Sequence, residues 1–237
     1  MEHDFIVGRH KAPVQDNAVV EGVLAIVADN VTSLLMIHPP ANHPKIEGYR
    51  AGLIIEIGSY LKMEPPHRME LITVLSKGVV IGFTLCGLPI DPTSKASECG
   101  IYYTCVSKSF RGKGVMNLMM MDIKPRYDHL HLSCDVALVP LYERYGFRCN
   151  AMRKHQIVMF LGNPVEDTPV QKAEDVMSHP GVMAVRRSFE AKFSEYELDR
   201  ADRSLAARLQ AEEDKAKRFL KLRLKTQKPQ IGLIPRL

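Results

Sequence analysis

The stretch Val106-Ser107-Lys108-Ser109-Phe110-Arg111-Gly112-Lys113-Gly114-Val115 has the composition of an anion site. An apolar, β-branched run from Gly100 to Val106 enters it, and a Met-rich run of helical character leaves it. Gly112 and Gly114 let the backbone come close to a phosphate. The free N–H groups of a first helical turn point at such an anion, and the helix dipole favours negative charge there. Arg111 and Lys113 add formal positive charge. By itself such a turn serves a nucleotide, a phosphate or a sulfate equally well.

Other reactive residue types are less informative. The five cysteines (Cys86, Cys99, Cys105, Cys134 and Cys149) are odd in number, form no CxxC pair, and mostly sit in β-like or apolar context. They read as buried free thiols in a reducing compartment. His38 and His43, with Asp29 or Glu47, span a Pro-rich loop whose spacing matches no standard ligand pattern, so no metal is expected. Met116, Met119, Met120 and Met121 read as core packing beneath the turn.

The elements that must hold the turn follow from periodicity. Residues 5–15 are a short strand or an arm. From Asp16 to Met36, Val20, Val23, Leu24, Val27, Val31, Leu34 and Leu35 form a 3.6-residue stripe, with a break expected near Asn30 or Thr32. The loop His38–Pro44 follows. Pro44 suits the first turn of a second helix whose stripe is Ile46, Leu53, Ile54, Ile57, Tyr60 and Leu61, ended by Pro65-Pro66. Residues 69–75 and 79–86 read as a hairpin around Ser76-Lys77-Gly78, then comes a loop over 88–95 and a strand over 98–106. Beyond the turn we expect a helix over 113–123, a strand over 129–134, a helix over 136–145 closed by Gly146, and a last strand over 155–161.

A composition shift divides the chain into a domain over 1–162, a polar linker over 163–181 and a basic helical extension over 182–237. Residues 184–237 carry 14 Lys/Arg against 8 Asp/Glu, whereas residues 1–183 carry 18 against 19. From Val182 to Thr226 there is no Pro or Gly, so one helix of roughly 65 Å is expected. Residues 215–228 hold seven basic residues and no acidic one, a charge run that suits nucleic acid or an acidic protein as well as a helix packed on its own domain or on a second copy in a homodimer. The N-terminus lacks a signal-peptide pattern and the longest uncharged apolar run, Gly78–Ile90, is too short to span a bilayer, so a cytoplasmic, non-membrane protein is expected.

Three signatures are similar to the GNAT superfamily of acyl-CoA-dependent N-acetyltransferases, over about residues 16–161. Arg111-Gly112-Lys113-Gly114-Val115-Met116 resembles the R/Q-x-x-G-x-G/A loop that holds the pyrophosphate of coenzyme A. Leu141-Tyr142-Glu143-Arg144-Tyr145-Gly146-Phe147 resembles the LYxxxGF segment near the end of many members. Asp135 stands where a polar residue often touches the cofactor. Met116 departs from the small residue of the loop pattern, which would either narrow the cofactor's approach or shift the start of the helix. The resemblance implies a mixed α/β (α+β) GNAT-like fold, a central mixed sheet with helices on both faces, to which the long helical C-terminal extension is added.

It also implies chemistry. Acetyl-CoA would be held by Arg111, Gly112, Lys113, Gly114, Val115 and Met116, with the backbone of Thr104, Cys105 and Val106 bonding the pantetheine amides and Asp135 nearby. The cofactor arm would lie between strands 98–106 and 129–135, splayed apart. Tyr142 is the expected general acid, since a phenol of pKa about 10 suits protonation of a thiolate, and Tyr145 is its neighbouring alternative. Glu98, thirteen residues before Arg111, is the expected base, with His129 and His131 as rivals on one face of the partner strand. The expected function is acetyl transfer from acetyl-CoA to a primary amine on a small molecule or protein. The competing reading is a GNAT-fold adaptor with a degenerate cofactor site, acting through its basic helix.

Overall fold

The computed structural model describes residues 4–89, 98–162 and 176–226. Its elements are β1 (Phe5–Lys11), α1 (Asn17–Asp29), α2 (Val31–Leu34), α3 (Ile46–Leu61), β2 (Arg68–Ser76), β3 (Val79–Leu88), β4 (Glu98–Val106), α4 (Val115–Ile123), β5 (His129–Cys134), α5 (Val139–Glu143), β6 (Arg148–Arg153), β7 (Gln156–Leu161), α6 (Pro180–Glu190) and α7 (Glu195–Thr226). One seven-stranded sheet runs in the order β1-β2-β3-β4-β5-β7-β6, antiparallel except for the β4–β5 pair. Most of the expected linker, 163–175, lies outside the described residues, as do most of the loop over 88–95 and Lys228 of the basic run.

Each face of the sheet buries its own core. Val19, Val23 and Val27 of α1, Val31 of α2, and Leu53, Ile57 and Tyr60 of α3 pack on Leu71, Phe83, Leu85 and Cys105. On the opposite face Met119, Met120 and Ile123 of α4, with Val139 and Tyr142 of α5, pack on Ile72, Cys99, Ile101, Leu130 and Leu132. The alternation along each strand thus assigns residues to faces. Cys99 and Ile101 lie on the α4 side, so Glu98 lies on the α3 side. Leu130 and Leu132 lie on the α4 side, so His129 and His131 lie opposite. Gly82 brings the Arg111–Gly114 turn down onto this framework: a Cβ there would meet Val115 Cγ1 at 2.7 Å, so only glycine lets the first turn of α4 sit this close to β3.

Four elements differ from what periodicity predicts. Helix α3 begins at Ile46, because the His43 carbonyl takes the Ile46 N–H and its Nδ1 takes the Lys45 N–H, so Pro44 lies in the preceding turn. Helix α4 begins at Val115, since Gly114 is left-handed. Residues 136–138 form a 3₁₀ turn and α5 covers only Val139–Glu143, with Pro140, which has no N–H to donate, in its first turn. Strand β6 is additional: it forms a hairpin with β7 through a bulge at Cys149/Ala151 that breaks the alternation.

The C-terminal extension is two helices. Ser194 stops α6 from continuing into α7 by a reciprocal cap: Ser194 N–H and Oγ reach Glu197 Oε2 at 2.8 Å, and Glu197 N–H donates back to Ser194 Oγ. Replacing Ser194 by Ala is expected to cost about 1 kcal/mol at this junction. Amide hydrogen exchange over 195–198 should then be about fivefold faster, and an unchanged rate would show that the cap carries no stability. Helix α7 docks on the domain. Ala216 is fully buried, Phe219 and Leu220 pack on the α4-side core, and Arg223 is paired with Glu143. Nearer its start, Asp202 pairs with Lys45, and Arg208 donates to the carbonyls of Ile37 and His38. Within the basic run, Lys215 and Lys217 are paired with Glu212 and Glu213 one turn earlier.

Candidate functional site

Strands β4 and β5 pair only from Glu98–His129 to Ile101–Leu132. Beyond this point β4 stays with β3 and β5 stays with β7, and the two separate. The cause is local. The β3–β4 register shifts between Leu85 and Cys86, leaving Tyr102 as an extra residue, and such a bulge bends and twists its strand. Tyr102 packs its ring where a Cβ on Gly87 would stand. The backbone of Tyr103 to Val106 therefore has no strand across from it on the β5 side. Unpaired backbone N–H and C=O groups there can bond an extended ligand.

The open strand leads into the Arg111–Gly114 turn. A 3₁₀ turn at Lys108–Phe110 is followed by Gly112 at φ 75° and Gly114 at φ 83°. No side chain caps α4, so the N–H groups of its first turn have no partner within the helix. A Cβ on Gly112 or Gly114 would meet nothing within 4 Å, so the space beside both glycines is open. Arg111 lies at the turn, but its guanidinium is also a strut: Nε donates to Val106 O at 3.1 Å and Nη2 to Asn30 Oδ1 at 2.7 Å. The Val106 carbonyl is thus engaged. The Lys113 ammonium lies 5.1 Å from the centre of the Phe110 ring. Met116 is half-buried against the α4-side core. Beside the turn a cavity of about 700 Å³ is lined by Asn30, Thr32, Arg50, Lys108 and Arg111.

Tyr142 reaches the split from the α4 face. Its hydroxyl pairs with Thr104 of β4, which in turn donates to Thr84 Oγ1 at 3.2 Å. Burial pushes the phenol well above its usual pKa, with the neighbouring Cys134 thiol adding to this, so Tyr142 stays protonated. Tyr145 lies one turn on, its N–H bonded to the Tyr142 carbonyl. All five cysteines are free and buried. Burial pushes the Cys105 thiol up to about 11 and the Cys134 thiol up to about 12, which removes both as nucleophiles near neutral pH.

The opposite face carries the carboxylates. Glu98 sits at the closed end of the β4–β5 pair, opposite His129, three residues or about 10 Å of strand before the split. It is therefore apart from Tyr142. Periodicity alone overlooks Glu56, which stands on the buried stripe of α3 between Leu53 and Tyr60. Its Oε1 accepts the Tyr103 hydroxyl at 2.8 Å, just beyond the bulge. The signal available in the sequence was one carboxylate on an apolar helix face. Burial pushes the Glu56 carboxyl up, partly offset by the hydroxyls of Tyr103 and Tyr60. A raised carboxyl pKa means that the folded protein holds this proton longer than the unfolded chain. Its stabilising effect is complete below pH about 4.5 and is lost as pH rises through the folded-state value. Glu56→Gln keeps an acceptor for Tyr103, so its stability relative to the wild type should improve steadily from pH 4 to pH 8 in urea unfolding. A constant difference would show that Glu56 titrates normally.

Asp135, the residue after β5, stands at the mouth of the split. Its carboxylate accepts from His38 Nε2 at 3.0 Å and from Gln156 Nε2 at 3.5 Å. These contacts hold it below the usual carboxylate range against the opposing effect of burial, while His38 is raised, chiefly by Asp135. His38 thus meets a partner 97 residues away, not Asp29 or Glu47.

Residues 32–147 match the Acetyltransferase (GNAT) family. Over this span the chain is similar to GNAT acetyltransferase domains. The match runs from α2 to the residue before β6, and so takes in the split, the Arg111–Gly114 turn and Tyr142. No curated protein matches the sequence. Solved structures similar to this chain include the PaiA N-acetyltransferase from Thermoplasma acidophilum in complex with coenzyme A (11% identity, 67% of this chain and 99% of that one, TM-score 0.47). They also include an acyl-CoA N-acyltransferase from Pseudomonas aeruginosa (12% identity, 67% and 100%, TM-score 0.46). A third is a GNAT family acetyltransferase from Elizabethkingia anophelis with acetyl-CoA bound (15% identity, 68% and 100%, TM-score 0.42). Among the described residues no helix is long and apolar enough to cross a membrane.

Proposed function

We propose that this protein transfers the acetyl group of acetyl-CoA to a primary amine by direct attack within one complex. The observation that carries this reading is the continuity of an unpaired strand edge, Tyr103–Val106, with an open anion turn at Gly112 and Gly114. A ligand with an extended amide-bearing arm and a pyrophosphate has the chemistry that this run of groups satisfies. In the proposal the N–H groups of Gly112, Gly114, Val115 and Met116 bind the pyrophosphate, with the Arg111 and Lys113 side chains supplying charge; the Lys113 N–H is held by the Phe110 carbonyl at 3.4 Å. The backbone of Thr104 and Val106 bonds the arm, Val106 through its N–H alone, while Cys105 between them has its backbone turned to β3. Asp135 walls the mouth of the split, its carboxylate turned to His38 and Gln156.

The two faces of the sheet divide the proton transfers. Tyr142 protonates the departing thiolate from the α4 face. The amine approaches from the α3 face, where Glu98 is the proposed base, reaching the amine through water, and Glu56 is the rival that lies nearer the split. Acetyl-CoA supplies the activated thioester, and the chain supplies orientation, a carboxylate that takes the amine proton and a phenol that gives a proton to the thiolate. The basic run on α7 is proposed to direct the choice of acceptor.

Acetyl-CoA at 100 times its Kd should stabilise the protein by about 2.7 kcal/mol, a rise in Tm of roughly 5–10 °C for a chain of this size. An amine panel assayed for thiol release would then find the acceptor class. No thermal shift at millimolar acetyl-CoA would defeat the enzyme reading and leave the adaptor.

A further inference from the structure

We infer that His38, Asp135 and His155 form a binding site for one divalent ion of the zinc class. They come from three separate segments: the turn after α2, the residue after β5, and the turn of the β6–β7 hairpin. Each offers a ligand atom, and the three atoms lie within 4.8 Å of one another. Tetrahedral ligation at about 2.0–2.1 Å places neighbouring donors roughly 3.3 Å apart. The widest pair of the present cluster must close by about 1.5 Å at most to reach that spacing.

The outer contacts are what distinguish this cluster from a chance meeting of polar side chains. Histidines that bind metals characteristically donate their second ring N–H to a backbone carbonyl or a carboxylate, which fixes the tautomer and the ring plane. Both histidines here do so. His38 Nδ1 lies 2.8 Å from Thr32 O, so that nitrogen carries the proton and Nε2 faces Asp135. His155 Nε2 lies 2.6 Å from Met36 O, so its lone pair is on Nδ1. The two rings meet edge to face at 5.9 Å between centroids. His38 is moreover held at φ 43°, a left-handed conformation that a non-glycine residue keeps only when its surroundings over-determine it. Arg208 of α7 does part of this by holding the carbonyls of Ile37 and His38.

Without an ion, a proton on His38 bridges the same two groups, which accounts for the direct His38–Asp135 pair at 2.9 Å. The His38 and Asp135 side chains are 25% and 32% exposed, so an ion has a path in and water can complete the shell. Two imidazoles and one carboxylate suit zinc and its neighbours over magnesium or calcium. The ion would staple the α2–α3 loop to the end of β5 and to the hairpin, closing the wall on the α3 side of the split. This inference does not depend on acetyl transfer.

Chelator-treated protein titrated with Zn²⁺ in a calorimeter tests it. One ion should bind saturably and raise Tm. Co²⁺ in its place should give tetrahedral visible bands with no thiolate charge-transfer band. Asp135→Asn keeps an acceptor for His38, and His155→Gln keeps a donor for Met36 O. Each should weaken binding at least tenfold while the metal-free protein melts cooperatively. Absence of saturable binding, a thiolate band, or wild-type affinity in both variants would each overturn the site.

Discussion

Tyr142→Phe is expected to lower kcat about 10²-fold, the lower end of what a positioned general acid contributes, while the KM for acetyl-CoA stays within about twofold. The asymmetry follows from where the hydroxyl acts. It meets Thr104 across the split and has no place along the Arg111–Gly114 turn, so its loss falls on the transition state and not on cofactor binding. The ring is retained, and with it the edge-to-face contact with Phe147 at 5.8 Å. The structural cost is one buried hydrogen bond, about 1 kcal/mol, which urea unfolding reads separately. Because burial holds the phenol above its usual pKa, wild-type activity should show no loss of the acid at any pH below about 10. Tyr145→Phe is the control and should leave kcat within about twofold. Equal rates for Tyr142→Phe and wild type, with the best amine from the panel, would remove Tyr142 from the reaction.

The proposed division of labour is only half legible in the chain. The strands, the anion turn and the Tyr142 segment could be read because each is local: a run of β-branched residues, two glycines beside cations, an aromatic pair closed by Gly146. Strand β6 was not, because half of Arg148-Cys149-Asn150-Ala151-Met152-Arg153 is polar and its bulge breaks the period. The joint between α6 and α7 was hidden by the absence of Pro and Gly, although Ser194 and Glu197 spell a capping box. Pairings across the fold left no local trace. Nothing near His38 announces Asp135, and Glu56 looks like one carboxylate on an apolar helix until β4 brings Tyr103 beneath it. The same holds for Glu98. Its distance from Arg111 in the sequence is fixed, but the parallel register with His129 is what sets it at the closed end of the pair.

Gly114→Val should weaken acetyl-CoA binding about 100-fold, roughly 2.8 kcal/mol, and Gly114→Asn should weaken it nearly as much. Two separate effects act at this position. The first is conformational: φ is 83°, and a β-branched residue held there costs about 1–3 kcal/mol of stability. Asn tolerates the left-handed region and largely escapes this cost. The second is occupancy. No protein atom stands within 4 Å of a Cβ at Gly114, so a side chain there clashes with nothing in the free protein. It would instead fill the space in front of the uncapped N–H groups of α4, where the pyrophosphate is proposed to sit. The two variants should therefore part in denaturant unfolding, Val destabilised and Asn near wild type, yet agree in calorimetric titration with acetyl-CoA. Wild-type affinity in a stable Gly114→Asn protein would mean that the anion is held elsewhere. The cations Arg50, Lys108 and Arg111 around the neighbouring cavity would then be the place to look.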